Sequence, residues 1–450
     1  MNAIQMPSVI LGVEVAMKIL LLGLGGREHA LALKLKASGP DVDLVSAPGS
    51  DALAELGACV RLDLESPSAV ADWCALNRPG LVVIGPELPL VAGVGDAVRA
   101  LGIPVFGHDA ATAHLEGSKA FAKAFMQRHG IPCAASHTVA DLAEGEALIR
   151  GWSHGYPIVL KADGLAAGKG VVLAMTEAEA LDTFRAFMAG QFGSASKTVV
   201  FEEPLVGMEL SLHVLVDVAA DHVSYAMLPA CQDHKRIFEG DRGPNTGGMG
   251  AFGPIPYLRA EDIERMRLEL VEPTVQGLRQ DGLAARGVLF LGVMWTASGP
   301  KLLEYNVRFG DPETQVLMQL LDENLASLLL EVAEGRLVPR DLKLKPHTAI
   351  TVVLAAEDYP EGAKRGVPIT IGAPGVTLIH AGTRKQDGHW LTNGGRVMNL
   401  ATSAPSLAAA RAAIEAALPQ ITWPGMQVRR DIGLKALMHA EAGRTVQDPW

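Results

Sequence analysis

Three polar residues in one apolar segment, Glu304, Asn306 and Arg308, are the strongest candidates for chemistry in this sequence. Strand alternation would place all three on one face, where burial is costly unless a ligand or an ion uses them. A carboxylate and an amide oxygen are hard ligands that suit Mg²⁺ bound to nucleotide phosphates. Arg308 could then stabilise charge on a transferring phosphoryl group. A buried structural ion pair is the alternative, and it explains Asn306 poorly.

The segment Lys161–Gly170 is a second candidate, because a lysine at a strand end precedes a loop of small residues and then the strand Val171–Leu173. Glycines let backbone N–H groups close over phosphate oxygens, and Lys161 supplies a positive charge. The segment is not a P-loop, since a strand rather than a helix follows it. A structural hairpin is the alternative, but the two framing lysines, Lys161 and Lys169, favour phosphate binding.

The turn Gly23–His29 follows a strand and opens a helix, as a dinucleotide-binding turn does. Glu28 occupies the third glycine position of that fingerprint, so the match is poor. Phosphate binding at the helix N-terminus and a purely structural turn are equally compatible with this segment.

Polar residues also cluster near the ends of later strands. Glu202, Glu203 and Glu209 could contact an adenosine, and a solvated acidic turn is the alternative. Segments 232–236 and 245–250 bracket a loop rich in donors and glycines, which predicts a small-anion or amino-acid site. The histidines show no metal-ligand spacing such as HExxH.

The composition excludes several classes of protein. A net charge of -11 opposes binding to nucleic acid, which depends on clustered cations. No apolar run is long enough for a membrane span, so we expect a soluble protein. The four cysteines form no CxxC pair, which predicts neither a disulfide framework nor a zinc site and fits a reducing cytoplasm.

The 450 residues predict two to four compact units. Over residues 17–118, strands alternate with helical patterns, which predicts a Rossmann-like parallel sheet with ligands at the carboxyl ends of its strands. Residues 119–345 mix long strands with helices, among them 261–280 and 313–334, and predict an α+β unit. A smaller α+β unit follows over residues 346–450. Residues 1–16 form an extension before the first strand.

Taken in order, these segments resemble the phosphoribosylamine–glycine ligase (glycinamide ribonucleotide synthetase) family of the ATP-grasp superfamily. The resemblance covers Met17 to about Ile432 and rests on LLGLGGREHA, KADGLAAGKG, TNGGRV and the more specific QDHKR, NTGGMG and RFGDPETQ. It implies a central ATP-grasp domain with a lid at about 138–207. It also implies that glycine is joined to 5-phosphoribosylamine through glycyl phosphate in purine synthesis, with ATP and Mg²⁺ or Mn²⁺. A monomer or weak homodimer without a nucleic-acid or membrane partner is expected.

The resemblance assigns roles residue by residue. Catalysis would depend on Arg308, Lys161 and Asp311, and the metal would bind Glu304 and Asn306. ATP would contact Lys119, Lys161, Gly168, Lys169, Gly170, Glu202, Glu203 and Glu209. The other substrates would lie against Gly26, Arg27, Glu28, Pro48, Gly49, Pro86, Glu87, Asp233, Lys235, Thr246, Gly247, Gly248, Met249, Arg308 and Asp311.

The sequence departs from the family pattern in two places. Ser50 stands where the family usually has asparagine, which puts a side-chain amide contact in question, although a serine can still donate and accept. Residues 1–16 precede the family's usual start, and a misassigned start would explain them.

Three other functions compete with this interpretation. Another ATP-grasp ligase is disfavoured by QDHKR with NTGGMG, and a nicotinamide-dependent dehydrogenase by the missing third glycine. A non-catalytic nucleotide-binding regulator is disfavoured because Lys161, Glu304, Asn306 and Arg308 are all retained.

Overall fold

A computed structural model of the chain describes residues 17–165, 170–191, 193 and 197–448. The predicted extension 1–16 and two of the predicted ATP contacts, Gly168 and Lys169, lie outside the described residues.

The helices and strands follow the alternation expected from the sequence. The helices are α1 (Gly26–Lys36), α2 (Asp51–Ala54), α3 (Pro67–Asn77), α4 (Glu87–Val91), α5 (Val94–Arg99), α6 (Ala110–Gly117), α7 (Lys119–Arg128), α8 (Leu142–Arg150), α9 (Glu177–Met188), α10 (Ala260–Met266), α11 (Glu272–Gln280), α12 (Glu313–Leu320), α13 (Leu325–Ala333), α14 (Leu407–Ala417) and α15 (Leu434–Glu441). The strands are β1 (Met17–Gly23), β2 (Val42–Pro48), β3 (Ala58–Cys59), β4 (Leu81–Ile84), β5 (Val105–Phe106), β6 (Ser136–Val139), β7 (Ile158–Ala162), β8 (Val171–Ala174), β9 (Val199–Glu202), β10 (Met208–Ala219), β11 (His222–Met227), β12 (Gln232–Asp233), β13 (Arg236–Phe238), β14 (Arg242–Asn245), β15 (Gly250–Gly253), β16 (Ala285–Thr296), β17 (Gly299–Asn306), β18 (Thr348–Ala355), β19 (Thr370–Ile371), β20 (Thr377–His380), β21 (Thr383–Gln386), β22 (His389–Thr392), β23 (Arg396–Ala404), β24 (Ile421–Thr422) and β25 (Gln427–Val428).

The amino-terminal sheet is parallel throughout, in the order β3-β2-β1-β4-β5. Its central strand is an apolar run, Ile19–Leu22, which is fully buried because helices cover both faces of such a sheet. The carboxyl ends of β1, β2 and β4 bring the turns at 23–26, 48–50 and 85–87 to one edge. The predicted parallel sheet is therefore confirmed.

The central part of the chain contains two antiparallel sheets. One has the order β11-β10-β16-β17 and carries the Glu304 segment on its edge strand. The other, β6-β9-β7-β8, packs with α8 and α9 around an apolar core of its own that includes Phe184, Phe187 and Phe201. This smaller sheet carries Lys161 at the end of β7, directly before the glycine-rich loop.

The carboxy-terminal sheet also contains strands from the central part of the chain. Its order is β12-β15-β18-β23-β20, and β15 pairs with β18 so that Gly250 lies opposite Val352. The QDHKR segment begins with β12, and the NTGGMG segment ends on the first residue of β15. Both segments are therefore joined to this sheet.

Two predicted helices have a different form in the structure. The prediction of a single helix over 313–334 is wrong, because the chain is extended at Leu321. Asn324 then caps a second helix by accepting a hydrogen bond from the Ser327 amide. The helix expected over 261–280 is continuous but contains a π-helical turn, Arg267–Val271, between α10 and α11. Across the described residues, no helix is both long enough and apolar enough to cross a membrane.

Candidate active site

Strand β17 carries the predicted metal pair on one face, and a β-bulge shapes the strand at Glu304. The facing residue on β16 is Gly292, where a Cβ atom would lie 3.3 Å from the Glu304 Cγ. Among the described residues, the Glu304 carboxylate accepts no hydrogen bond and makes no direct ion pair, and the buried Nδ2 of Asn306 has no partner. Burial would raise the pKa of Glu304, but Lys235 and Lys161 outweigh burial and lower it.

Arg308 lies two residues beyond the end of β17 and turns back toward the metal pair. Its Nη2 donates to Asn306 Oδ1 over 3.2 Å, and its Nε lies 3.3 Å from Glu87 Oε2. A second acidic partner, Glu116, lies 2.9 Å from Nη2. Burial would lower the pKa of Arg308, but Glu116 and Glu87 raise it. The alternative, in which Glu304 forms a buried ion pair with Arg308, is therefore wrong. Arg308 pairs with Glu87 and Glu116 instead.

Glu116 was not predicted from the sequence. It is the penultimate residue of α6, its side chain is 8% exposed, and its Oε2 accepts a hydrogen bond of 2.7 Å from the Val307 amide. Burial raises its pKa, and Arg308 opposes that rise. Only its place two residues before the Ser118-Lys119 pair could have drawn attention to it.

Lys161 belongs to a buried group that we call the lysine–glutamate cluster, formed by Lys123, Lys161 and Glu202. The two Nζ atoms lie 3.0 Å and 2.9 Å from the two Glu202 oxygens. Each of the three side chains is at most 8% exposed, so the cluster holds one net positive charge inside the protein. Lys123 was not predicted, and Glu202 contacts lysines rather than presenting its carboxylate to the cleft.

Lys119 is the first residue of α7, and Asp163 ties this helix end to the glycine-rich loop. The Asp163 Oδ1 accepts from Ser118 Oγ over 2.9 Å and from the Ala120 amide over 2.7 Å. The Lys119 Nζ donates to the Gly164 carbonyl over 3.1 Å. Burial lowers the pKa of Lys119. Two of the predicted phosphate contacts, Lys119 and Lys161, are thus placed on either side of the start of the loop.

The other two predicted adenosine contacts differ from each other. Glu203 Oε1 accepts from the Ala135 amide over 3.0 Å and lies 3.3 Å from Lys301 Nζ. The backbone hydrogen bond from Ala135 is the largest cause of its lowered pKa. Glu209 is a partly exposed side chain that forms an ion pair with Lys235.

The QDHKR segment places Asp233 beside a second buried acid, Glu313. Burial raises the pKa of both carboxyl groups, and the nearby Glu313 carboxylate raises the pKa of Asp233 further. Asp233 Oδ1 accepts from the His234 amide over 2.6 Å, and Glu313 Oε1 accepts from Ser211 Oγ over 2.8 Å. A Cβ atom at Gly248 would lie 2.8 Å from Asp233 Oδ1, so only glycine lets the NTGGMG segment approach this acid.

The amino-terminal turn contacts the RFGDPETQ segment. Arg27 donates to the Phe309 carbonyl over 3.0 Å and, through its amide, to Asp311 Oδ2 over 3.3 Å. Glu28 is buried inside the turn, where it accepts from the Gly25 amide over 2.7 Å and pairs with Arg27 over 2.6 Å. Glu28 thus caps its own helix and holds Arg27.

Arg396 of the TNGGRV segment joins both substrate segments from the carboxy-terminal sheet. Its Nη1 donates to the carbonyls of Gly247 and Asp311, each over 2.7 Å. Burial would raise the pKa of Asp311, but Arg396 and Arg27 lower it. The TNGGRV motif was recognised in the sequence, but no role was predicted for Arg396.

The remaining predicted substrate contacts are backbone turns or structural groups. Pro48-Gly49 ends β2, and Ser50 next to it caps α2 by accepting from the Leu53 amide over 3.3 Å. Pro86 precedes α4. Thr246 Oγ1 donates to the Lys235 carbonyl over 2.9 Å, whereas the Met249 side chain is fully buried in the core. Gly26 starts α1 beside the Asn399 and Gln315 amides.

These segments match known proteins over most of the chain. Three domain profiles of phosphoribosylglycinamide synthetase match in order: the N domain over residues 17–116, the ATP-grasp (A) domain over 117–314 and the C domain over 349–435. The chain belongs to the phosphoribosylglycinamide synthetase family.

Relatives agree with the family profile. The phosphoribosylamine–glycine ligase of Rhizobium meliloti (strain 1021) is 44% identical over 429 residues, which cover 95% of this chain and 100% of the relative. The crystal structure of phosphoribosylamine–glycine ligase from Thermotoga maritima is 32% identical, covers 92% of this chain and 100% of its own, and superposes with a TM-score of 0.81. The biotin carboxylase domain of the Hydrogenobacter thermophilus 2-oxoglutarate carboxylase, at 16% identity, covers 96% and 99% of the two chains with a TM-score of 0.72 and shares the fold.

The residues around β17 fit a divalent metal held together with a nucleotide. Glu304 offers a carboxylate that has no hydrogen-bond or ion-pair partner among the described residues, and Asn306 offers its Oδ1, which accepts one hydrogen bond from Arg308 and keeps a second lone pair for a metal. One or two oxygen ligands from the protein, completed by phosphates and water, are what Mg²⁺ uses at nucleotide sites. Within the described residues, no group of three or more His, Cys, Asp or Glu side chains forms an independent metal site.

Proposed function

We propose that the chain joins glycine to 5-phosphoribosylamine and converts ATP to ADP and phosphate. The observation that carries the proposal is the Glu304 carboxylate, which has no ion-pair partner in the described part of the chain and whose pKa is lowered by Lys235, Lys161, Lys119 and Arg308 together. Such convergence of cations on a hard-ligand pair suits the transfer of a phosphoryl group. Family membership and the ligase relatives support the same reaction.

In the first step, a glycine carboxylate oxygen attacks the γ-phosphorus of ATP, and the bond from that phosphorus to the β–γ bridging oxygen breaks, so that ADP leaves. We assign Lys119 and Lys161 to the phosphates and Arg308 to the charge on the transferring group. Mg²⁺ or Mn²⁺, held by Glu304 and Asn306, would neutralise phosphate charge when bound.

In the second step, the amine of 5-phosphoribosylamine attacks the acyl carbon of glycyl phosphate, the carbon–oxygen bond to phosphate breaks, and the nitrogen loses a proton. We assign the glycine side of the site to Asp233, Lys235 and residues 246–249; in support, Lys235 acts on the pKa of Glu304, and Asp233 lies beside Glu313. The phosphoribosylamine side is assigned to the turns at 26–28, 48–49 and 86–87 together with Asp311. Exclusion of water would protect the acyl phosphate.

The remaining nucleotide contacts follow from the sequence. We propose that Glu203 and Glu209 face the adenosine and that the loop ending at Gly170, with Gly168 and Lys169, covers the phosphates. Glu202 is better assigned to holding Lys161, because their atoms are 2.9 Å apart. We further propose a cytoplasmic monomer or weak homodimer, which the four free cysteines fit.

A coupled assay of ADP release tests the proposal. ADP should appear at a sustained rate only when glycine, 5-phosphoribosylamine and a divalent metal are all present, and glycinamide ribonucleotide should form in equal amount. Bicarbonate in place of glycine is the control, since ligases of the same fold differ in their carboxylate. ADP release that is independent of glycine would contradict the proposal.

A further inference from the structure

The four residues 116–119, which span the end of α6 and the start of α7, link the two halves of the candidate site. Ser118 and Lys119 contact Asp163 and Gly164 at the start of the glycine-rich loop. Glu116, at the other end of this short connection, contacts the end of β17. One turn of chain therefore fixes the loop that is assigned to the phosphates and the strand that is assigned to the metal.

Glu116 holds two consecutive residues of that strand end with its two oxygens. Oε2 accepts from the Val307 amide over 2.7 Å, and Oε1 lies 2.9 Å from Arg308 Nη2. The second acid on Arg308, Glu87, lies farther away at 3.3 Å and is 32% exposed, against 8% for Glu116. The shorter and better shielded contact fixes the guanidinium more strongly.

The negative charge of Glu116 is needed for its contact with Arg308 and not for its contact with the Val307 amide. A neutral amide oxygen could also accept a hydrogen bond from the Val307 amide, whereas only a carboxylate pairs with the guanidinium. A buried carboxylate is costly to keep ionised, and this cost is offset only where a partner cation is held close by.

We propose that Glu116 is a positioning residue that orients Arg308 toward the transferring phosphoryl group. It acts through Arg308 and does not touch the substrates itself. The inference rests on the proposed function, in which Arg308 stabilises the transferring group. If it is correct, the kinetic effect of removing the Glu116 charge depends on the presence of Arg308.

The first experiment compares Glu116→Gln with a matched control, Asp217→Asn. Asp217 is also a buried acid that accepts from a backbone amide, Leu337 N at 3.2 Å, and faces an arginine, Arg286, at 3.7 Å. It lies on β10 and has no place in the proposed site. We expect Glu116→Gln to lower kcat by about tenfold to a hundredfold, less than the roughly hundredfold to thousandfold lost with a direct transition-state contact because Glu116 acts only through Arg308, with KM for ATP within about twofold. Asp217→Asn should change stability but leave kcat within about twofold of wild type, as expected for a contact outside the site.

The second experiment combines Glu116→Gln with Arg308→Gln, because a lysine at position 308 would keep a cation that Glu116 could still hold. Because the carboxylate acts through the guanidinium, the double variant should be no slower than Arg308→Gln alone, whereas independent roles would multiply the two losses. A multiplied loss, or a Glu116→Gln variant that folds and keeps its kcat, would overturn the inference. If Glu116→Gln does not fold, Glu116→Asp retains the charge with a shorter reach, and an unchanged kcat in that variant would also overturn it. An inactive wild-type protein would instead contradict the proposed function.

Discussion

Replacing Glu304 by glutamine removes one negative charge from the centre of the candidate site and keeps the side-chain shape. The carboxylate has no protein partner among the described residues, so its charge serves a ligand that the protein itself does not supply. If that ligand is the metal on the ATP phosphates, the substitution weakens the hold on the cation that would neutralise charge on the transferring phosphoryl group. We expect kcat to fall by about a hundredfold to a thousandfold, which corresponds to about 3–4 kcal/mol.

Stability should hardly change in the same variant. The cations that influence Glu304 keep other partners: Lys161 pairs with Glu202, Lys235 with Glu209 and Arg308 with Glu116, and Lys119 donates to the Gly164 carbonyl. Among the described residues the substitution therefore breaks no ion pair, and we expect the free energy of unfolding to change by less than about 1 kcal/mol.

The assay measures ADP release and thermal unfolding for wild type, Glu304→Gln and the control Glu272→Gln. Glu272 pairs with Arg267 over 2.6 Å. Both residues lie away from the site, so loss of the Glu272 charge should leave turnover unchanged. Raising the metal concentration should restore part of the activity of Glu304→Gln and none in the control. Near-normal turnover per folded molecule of Glu304→Gln would refute the metal assignment.

Three further predictions concern groups around the site. His213 is buried, has a pKa lowered to about 3 by burial and accepts a hydrogen bond from the Gly310 amide over 3.0 Å. Below about pH 6.5 this histidine binds a proton in the unfolded chain but not in the folded chain, so the stability of the fold decreases as the pH drops. Between pH 7 and pH 5, urea unfolding should show wild type losing about 2 kcal/mol more stability than His213→Gln. An equal loss in both proteins would contradict this. Lys123→Met removes the net positive charge of the lysine–glutamate cluster and should raise the Kd for ATP about tenfold in calorimetric titration, equivalent to about 1.4 kcal/mol, whereas an unchanged Kd in the folded variant would be contrary evidence. Amide exchange in the segment Gly164–Gly170 should slow on adding an ATP analogue with Mg²⁺, since the phosphates would supply hydrogen-bond partners for the backbone amides. Equal exchange rates with the analogue bound would rule out closure over the phosphates.

The sequence predicted those features that depend on local pattern. The run Ile19–Leu22 is apolar at every position, as expected for a strand buried on both faces, and the parallel sheet was confirmed. Alternation along β17 correctly predicted that Glu304 and Asn306 share a face. The break at Leu321 was missed, because apolar residues continue past it at helical spacing and only the Asn324 cap marks a new start.

The partners of these residues could not be predicted, since they come from distant parts of the chain. Glu116 reaches Arg308 across 192 positions, and Lys123 on α7 shares Glu202 with Lys161 on β7. Neither residue stands in a pattern that distinguishes it from an ordinary helical residue. Their roles depend on the packing of α6 and α7 against the sheets, which a single sequence does not reveal.

Three parts of the chain meet at Asp311, and this meeting explains why the site needs the whole protein. The amino-terminal turn reaches it through the Arg27 amide at 3.3 Å, and the carboxy-terminal sheet through Arg396, whose Nη1 lies 2.7 Å from its carbonyl. Arg308, three residues earlier, is fixed from the connection between α6 and α7. A shift of any one part would therefore move the anion contacts relative to the metal pair on β17. Because effective attack requires reacting atoms to be held in line, this shared anchoring is what the two-step reaction would require of the fold.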